Sequence, residues 1–565
     1  MRHDRGLFLF ALTLALAHAP AAEAFELHWG SLGAGGLAIT DSLQIRYLET
    51  NFNASDEDDG VLTVLNKLNV VGTGGGFTLG IRVDSAHFFF EQCAEQGSCL
   101  FQDYVNPEFN SEHPLPEKIH LGWEGAIGTS SLALKAGDFY TSFGRGMTLN
   151  IRKVDELGLD TSLQGGRVYV QGENVTFEAV AGRTNIQNVA PIDNRHLDDP
   201  DDIIVGIETL IGADGIELGV RGVHLEYAAS SILGHEESAS VAGASINLPD
   251  IAGMFAFYGE GAVIVARDYD PNAASDPFTS QPGEALYGAL NGFFGAFNML
   301  LEGKHYRHFQ IAPRDNTLRT VGIIYNAPPT LERFDQLVPS TSDVTGGRLR
   351  VDYFIRSTGT RVYANGLVQA FATGGNDPFE DKGKRGIHAY AGFSQTFGAR
   401  KDVSVEISGG WRDERQSNPS NPEKSLLRHL WHVETDVNVK LGGQHALNVK
   451  AEHRTECKPT LASTDSQCGL FDGDAAGHRF HRSLLTTTYA VQSAFRASLL
   501  YGYTDEQPRA VPTNHFGVQL DWDFMPGSTM RAFGGSLPGG FICAGGTCVD
   551  VPPSSSYRLE IVNRF

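Results

Sequence analysis

The residues most ready for chemistry are six cysteines in three close pairs: Cys93 with Cys99, Cys457 with Cys468, and Cys543 with Cys548. Thiolates hold metals when their ligands cluster in space and histidines stand at short spacing. These pairs lie far apart and lack that spacing. Each falls in or beside a single expected loop, so three local disulfides are expected, which suits an oxidising compartment. Other chemistry is hard to find. No Gly-x-Ser-x-Gly, His-Glu-x-x-His or Walker pattern stands out. Gly72-Thr-Gly-Gly-Gly76 sits at a turn and lacks the lysine and helix of a phosphate loop. His478 and His481 have no nucleophile nearby in sequence. The acidic runs Asp56-Glu57-Asp58-Asp59 and Asp198-Asp199-Pro200-Asp201-Asp202 follow no calcium-loop spacing and read as solvated loops. No enzyme, resident metal or cofactor is expected.

Two charged segments remain to be explained. Gly144 to Gly165 mixes Arg145, Arg152 and Lys153 with Asp155, Glu156 and Asp160, and also carries Met147, Leu149, Ile151, Val154, Leu157 and Leu159. Apolar side chains need somewhere to pack, and mixed charge suits a polar cavity wall. An inward-folded segment is expected, with an exposed loop or extra hairpin as the plainer alternative. The second is Pro328 to Asp335, where Glu332 and Arg333 are placed to pair with charge inside a cavity; a stiff outer loop set by its two prolines is the alternative.

The elements that would position them are strands. Phe516, Val518, Leu520, Trp522 and Phe524 alternate with Gly517, Gln519, Asp521 and Asp523. Trp431 to Leu441, Arg348 to Arg356 and Phe77 to Asp84 alternate in the same way. Such segments recur along the chain, and short Gly-rich connections alternate with long ones, as in membrane β-barrels. All the cysteines lie by long connections, so the expected disulfides share one side. The count is about 24 strands, within roughly 22–26. The weak place is 312–345, read as an outer or inward excursion. No segment is long and apolar enough for a membrane helix. The mean hydropathy of −0.18 is low because cavity-facing residues cancel lipid-facing ones in any average.

Residues 1–24 read as a secretory signal: Arg2 and Arg5, the apolar run Leu7 to Ala17, and the small-x-small site Ala22-Glu23-Ala24. Residues 25–565 then form one barrel domain. Its charge of −23 and lack of basic aromatic patches exclude nucleic acid as a partner. The final strand, Tyr557 to Phe565, ends on an aromatic residue. It resembles the closing strand of Gram-negative outer-membrane barrels, whose assembly machinery reads such an end. That resemblance implies the machinery as a partner, outer-membrane lipid and lipopolysaccharide as surroundings, and both termini in the periplasm.

The fold class expected is therefore all-β, a transmembrane antiparallel barrel with loops folded into its lumen. A lumen this wide needs a filler, and with no room for a preceding plug domain the filler must come from internal loops. Gly137-Asp-Phe-Tyr-Thr-Ser-Phe-Gly-Arg-Gly-Met147, Lys153-Val-Asp-Glu-Leu-Gly158 and Tyr325 to Arg333 resemble segments of a family of uncharacterised outer-membrane proteins of Bacteroidota and myxobacteria-like lineages, known as a domain of unknown function. The overall plan also resembles general porins and polysaccharide-export barrels. The resemblance implies location and fold. Passage of a polar solute past a constriction is the leading expectation for function. The alternative is a surface or secretion-associated barrel that binds a protein partner through disulfide-braced outer loops.

Overall fold

Strands that are apolar on one side and polar on the other bury neither side alone in water. Rolled into a cylinder, they put the apolar side in lipid and satisfy every backbone group in the ladder. The computed structural model describes residues 25–28, 34–52, 59–90, 104–105, 116–154, 159–188, 199–213, 215–228, 237–269, 278–311, 324–332, 343–371, 385–398, 402–418, 421–459, 477–492, 494–506, 512–544, 547–551 and 553–565. The barrel has 24 antiparallel strands. It closes where Ala34–Thr50 pairs with Ser554–Arg564, with Thr40 opposite Arg564 and Tyr47 opposite Tyr557. Closure leaves no sheet edge unpaired.

Each expected strand has a counterpart. The clean alternation holds: Phe516, Val518, Leu520 and Trp522 are exposed on the outer face, while Asp521 is buried on the inner one. Short turns join one rim. At Phe77 the chain reverses through Gly75 and Gly76, both at positive φ, the left-handed pair that a tight hairpin needs. A Cβ on Gly76 would also stand 2.5 Å from the carbonyl oxygen of Glu124.

Three boundaries differ from expectation. The strand expected over 131–143 ends at Phe139, and its partner begins at Leu159, so residues 159–165 belong to the wall and not to the insert. The long loop expected at Gln416–Glu423 is mostly ladder: Val403–Asn418 and Asn421–Gly442 pair until Asn418 faces Asn421. Polar composition suggested a loop, but cross-strand pairing overrides composition in a hairpin that rises above the apolar band. At the other rim Gly540–Ala544 pairs with Thr547–Val551, placing Cys543 directly opposite Cys548. Cys457 is buried near the end of His445–Pro459. Cys93, Cys99 and Cys468, like the expected signal at 1–24, lie outside the described residues.

Two outcomes follow from this frame. Val220, midway along Ile216–Tyr227 and exposed on the outer face, should tolerate no charge: Val220→Arg should cost about 2–4 kcal/mol in urea titrations of folding into lipid vesicles. Peptide mapping without reduction should recover Cys543 linked to Cys548, Cys457 to Cys468, and Cys93 to Cys99. Free thiols at these positions would remove the expected bracing of the long loops.

Candidate functional site

The lumen is asymmetric. Around roughly half its circumference the inner wall is apolar: Leu163, Val180, Ile204, Val223, Leu225, Val241, Ile264 and Leu367 are all nearly or fully buried. Apolar side chains facing a cavity need a cover, and two inserts supply it. The first leaves the wall after Phe139 and returns at Leu159. Within it Thr141–Phe143 pairs with Leu149–Ile151, and Lys153–Val154 pairs back onto the wall at Asp160 and Leu159. The second lies between Arg307 and Val344. Phe143, Met147, Leu149 and Ile151 of the first and Phe309, Ile311, Tyr325 and Leu331 of the second are at most 1% exposed, in one cluster with the wall.

The wall is shaped to receive them. A Cβ on Gly206 would stand 2.7 Å from the Phe143 ring, and one on Gly243 would stand 2.8 Å from the Thr148 methyl. Those glycines let the insert approach the sheet backbone closely.

The inserts are stitched to each other by backbone hydrogen bonds. The Asn150 amide donates to the Tyr325 carbonyl at 2.7 Å and Ala327 to Gly146 at 2.8 Å, while within the second insert Tyr325 donates to Ile311 at 2.8 Å. Asn326 closes the seam: its side-chain oxygen accepts from the Ile311 amide at 3.0 Å, and its Nδ2 donates to the Met147 carbonyl at 3.3 Å. Each buried donor thereby finds a partner away from water.

A belt of charge anchors the inserts at their polar edges. Arg221 is held between Glu208, at 3.0 Å, and Glu260. The same carboxylates accept from the insert backbone, Glu208 from the Gly144 amide at 2.8 Å and Glu260 from the Arg145 amide at 3.1 Å. The Arg145 guanidinium lies 3.9 Å over the Tyr258 ring, a cation–π seat. Tyr258 donates to Glu260 and Tyr287 to Glu302, each at 2.6 Å. The belt continues to the second insert: Arg348 binds Glu302 at 2.6 Å and the Leu331 carbonyl at 3.0 Å, Tyr306 donates to the Pro329 carbonyl at 2.8 Å, and Lys304 reaches Glu332 at 3.3 Å. Burial pushes the Glu332 carboxyl up, but Lys304, a hydrogen bond from Gln369, a backbone hydrogen bond and Arg412 together outweigh burial and hold it below the usual carboxylate range. Burial and the neighbouring Asp202, 2.5 Å from its hydroxyl, push the Tyr325 phenol far above its usual range.

The expected site residues thus divide. Arg145 and Glu332 sit in this belt. Asp160 lies on the wall rather than in the insert, and it gathers Lys118 at 2.6 Å, Tyr140 at 2.6 Å and Arg82 at 2.5 Å. Arg152 is half-buried in the first insert, its carbonyl accepting from the Thr161 amide at 3.3 Å. Lys153 is exposed opposite Asp160. Asp155, Glu156 and Arg333 lie outside the described residues. The sequence reading missed the apolar half-wall and the charges that anchor the inserts, Glu208, Glu260, Glu302 and Lys304. A signal was present: Ile203-Ile-Val-Gly-Ile207 and Ala262-Val-Ile-Val-Ala266 are apolar at successive positions, the mark of strands covered on both faces.

The far side of the lumen is polar. The Nε2 atoms of His388 and His432 meet at 3.0 Å, and His432 Nδ1 lies 3.0 Å from Glu434, which accepts from Ser408 at 2.7 Å. One shared proton satisfies both imidazoles in that arrangement. Among the described residues no three His, Cys, Asp or Glu side chains converge on a metal position.

A family model matches residues 44–335, more than half of the chain, and takes in the first insert, the second as far as Glu332, and most of the wall they cover. The chain belongs to the family of unknown function DUF6029. No match is found among curated proteins. Of solved structures, the chain is similar to the siderophore receptor PirA from Pseudomonas aeruginosa, with 7% identity and a TM-score of 0.47 over 94% of this chain and 80% of that one. It is similar to the copper transporter OprC at 12% identity and a TM-score of 0.43, over 96% and 84%. It is similar to the translocation pore of the P pilus usher PapC at 9% identity and a TM-score of 0.38, over 94% and 99%. All are too distant to assign a solute or partner to this DUF6029 barrel.

The belt makes a stability test. Lys304 and Glu332 side chains are 1% and 0% exposed. Removing the carboxylate leaves a buried ammonium, so Glu332→Ala should lose about 3–5 kcal/mol in urea unfolding. Limited proteolysis should then cut within 308–343 while the wall stays intact.

Proposed function

We propose that this protein is an outer-membrane channel whose lumen is narrowed by its two inserts, and that a polar solute crosses along the half they leave polar. The observation that carries the proposal is the one-sided filling. Apolar inserts cover the wall from Leu163 round to Leu367, whereas Glu434, Asp521 and Arg531 lie on the wall beyond it as paired, water-compatible groups. A filled half and a wetted half make a passage narrower than an open barrel of this strand number, with charges along it to bias what passes. Arg145, Arg152, Lys153, Asp160 and Glu332 are the described residues proposed to shape the constriction; Asp155, Glu156 and Arg333 complete the expected set. In this reading the short turns and both termini face the periplasm and the long loops face outward. The barrel carries out no chemistry of its own.

The test is conductance in planar bilayers. Wild-type protein should give small steady steps, and replacing 144–157 with a short Gly-Ser linker should enlarge them several-fold. A barrel that stays silent in both forms and co-purifies with another protein would favour partner binding through the long loops instead.

A further inference from the structure

We propose a binding site for the oxyanion of a small solute, a carboxylate or a phosphate, on the lumen wall at Arg350 and Arg361. For its biological use it rests on the lumen being a passage, and it names what that passage takes; the site itself stands on the wall geometry.

Inward and outward residues alternate along Val344–Ile355, and Leu349 and Tyr353 are exposed on the outer face. Arg348 faces inward and holds the second insert at the Leu331 carbonyl. Arg350 is the next inward residue and Asp352 the one after; neither is hydrogen-bonded to an insert among the described residues. Arg361 joins them from the neighbouring strand, Thr360–Phe371.

Asp352 carries both cations. The Arg350 Nε donates to one of its oxygens at 3.0 Å and Nη2 to the other at 3.3 Å. That second oxygen also accepts from the Arg361 Nε at 2.8 Å. Two guanidinium groups on one carboxylate leave one positive charge over. Elsewhere on this wall the count runs the other way: Arg221 has Glu208 and Glu260, and Arg531 has Asp521 and Glu560. The cations also cover their anion. The Arg350 and Arg361 side chains are 36% and 47% exposed and that of Asp352 is 16%, so a solute meets the excess positive charge first.

Both arginines turn the same edge to Asp352, the one with Nε and Nη2. The end edge, with Nη1, has no hydrogen-bond partner on either arginine among the described residues. That edge is a planar two-donor fork, the shape that grips a carboxylate or phosphate bidentately. Tyr363 lies beneath, its ring centre 5.8 Å from the Arg350 guanidinium carbon and 5.6 Å from that of Arg361. A Cβ on Gly392 would stand 2.6 Å from Tyr363, so that glycine lets the ring lie against the wall. Glu406, at the hydroxyl end of the ring, accepts from Tyr363 at 2.9 Å and pairs with neither arginine among the described residues. Either fork can take an oxyanion, and the other guanidinium adds its charge at close range because both hang on one oxygen. A part-exposed site of this kind exchanges its ligand readily, as conduction requires.

The experiment heats full-length protein in detergent in inorganic phosphate or acetate against chloride at matched ionic strength. The unfolding midpoint should rise saturably with either anion. Arg350→Gln and Arg361→Gln each leave one cation to one carboxylate, and each should raise the half-saturating phosphate concentration about tenfold. Asp352→Asn leaves two unopposed cations and should lower it several-fold, an effect that a merely bracing salt bridge would not show. Arg183→Gln, whose pair with Asp201 lies on the outer face beside exposed Ile203, should leave it unchanged. A linear rise equal in all variants, the general salting effect of phosphate, overturns the site. So does a half-saturating concentration that Asp352→Asn leaves unmoved or raises. Planar bilayers separate the two readings. A silent barrel with the charge-ordered phosphate response keeps the site and removes the passage; a conducting barrel without that response removes the site and keeps the passage.

Discussion

Space inside the cylinder is the constraint on which the rest of the structure depends. Wall side chains fill the interior of a barrel of about eight strands, but not one of 24. The chain resolves this unequally. It makes one half of the inner wall apolar and folds two of its own connections onto it. It lines the other half with polar pairs. The burial of Phe143, Met147, Leu149 and Ile151 against Ile204, Val223 and Val241 is therefore to this protein what a core is to a soluble one. The charge belt, itself buried, ties that core to the wall.

That arrangement explains which residues are spent on what. Glu208 and Glu260 receive backbone amides at the tip of the first insert; Lys304 and Arg348 receive the second. None of these groups is free to act as an acid, base or ligand. They hold. Beyond the inserts the wall carries polar pairs that touch neither insert, such as Arg531 with Asp521.

The barrel was legible because a period of two survives every local irregularity: Phe516 to Phe524 alternates in sequence and in space. The inserts were legible in outline, since Met147, Leu149 and Ile151 have no reason to stand beside three cations in an outer loop. Their docking ground was not. Alternation assigns one lipid face per strand, and a strand such as Ile203–Ala213 that is apolar on both faces reads as weak alternation rather than as a covered wall. The partnership of the two inserts was invisible for another reason. Asn150 and Tyr325, or Gly146 and Ala327, meet through backbone groups, and main-chain hydrogen bonds leave little trace in side-chain identity. Asp160 was assigned to the insert because its charge was read without the register that puts it on the wall opposite Lys153.

Hydrogen exchange of the detergent-solubilised protein tests the central claim most directly. If the two inserts are a seated core, the amides of Asn150, Tyr325 and Ala327 should exchange as slowly as those in the middle of the barrel strands. Exchange of these three at the rate of solvent-exposed connections, with the strands still protected, would mean that the lumen is not filled from within, and would contradict the seating of both inserts on the apolar wall.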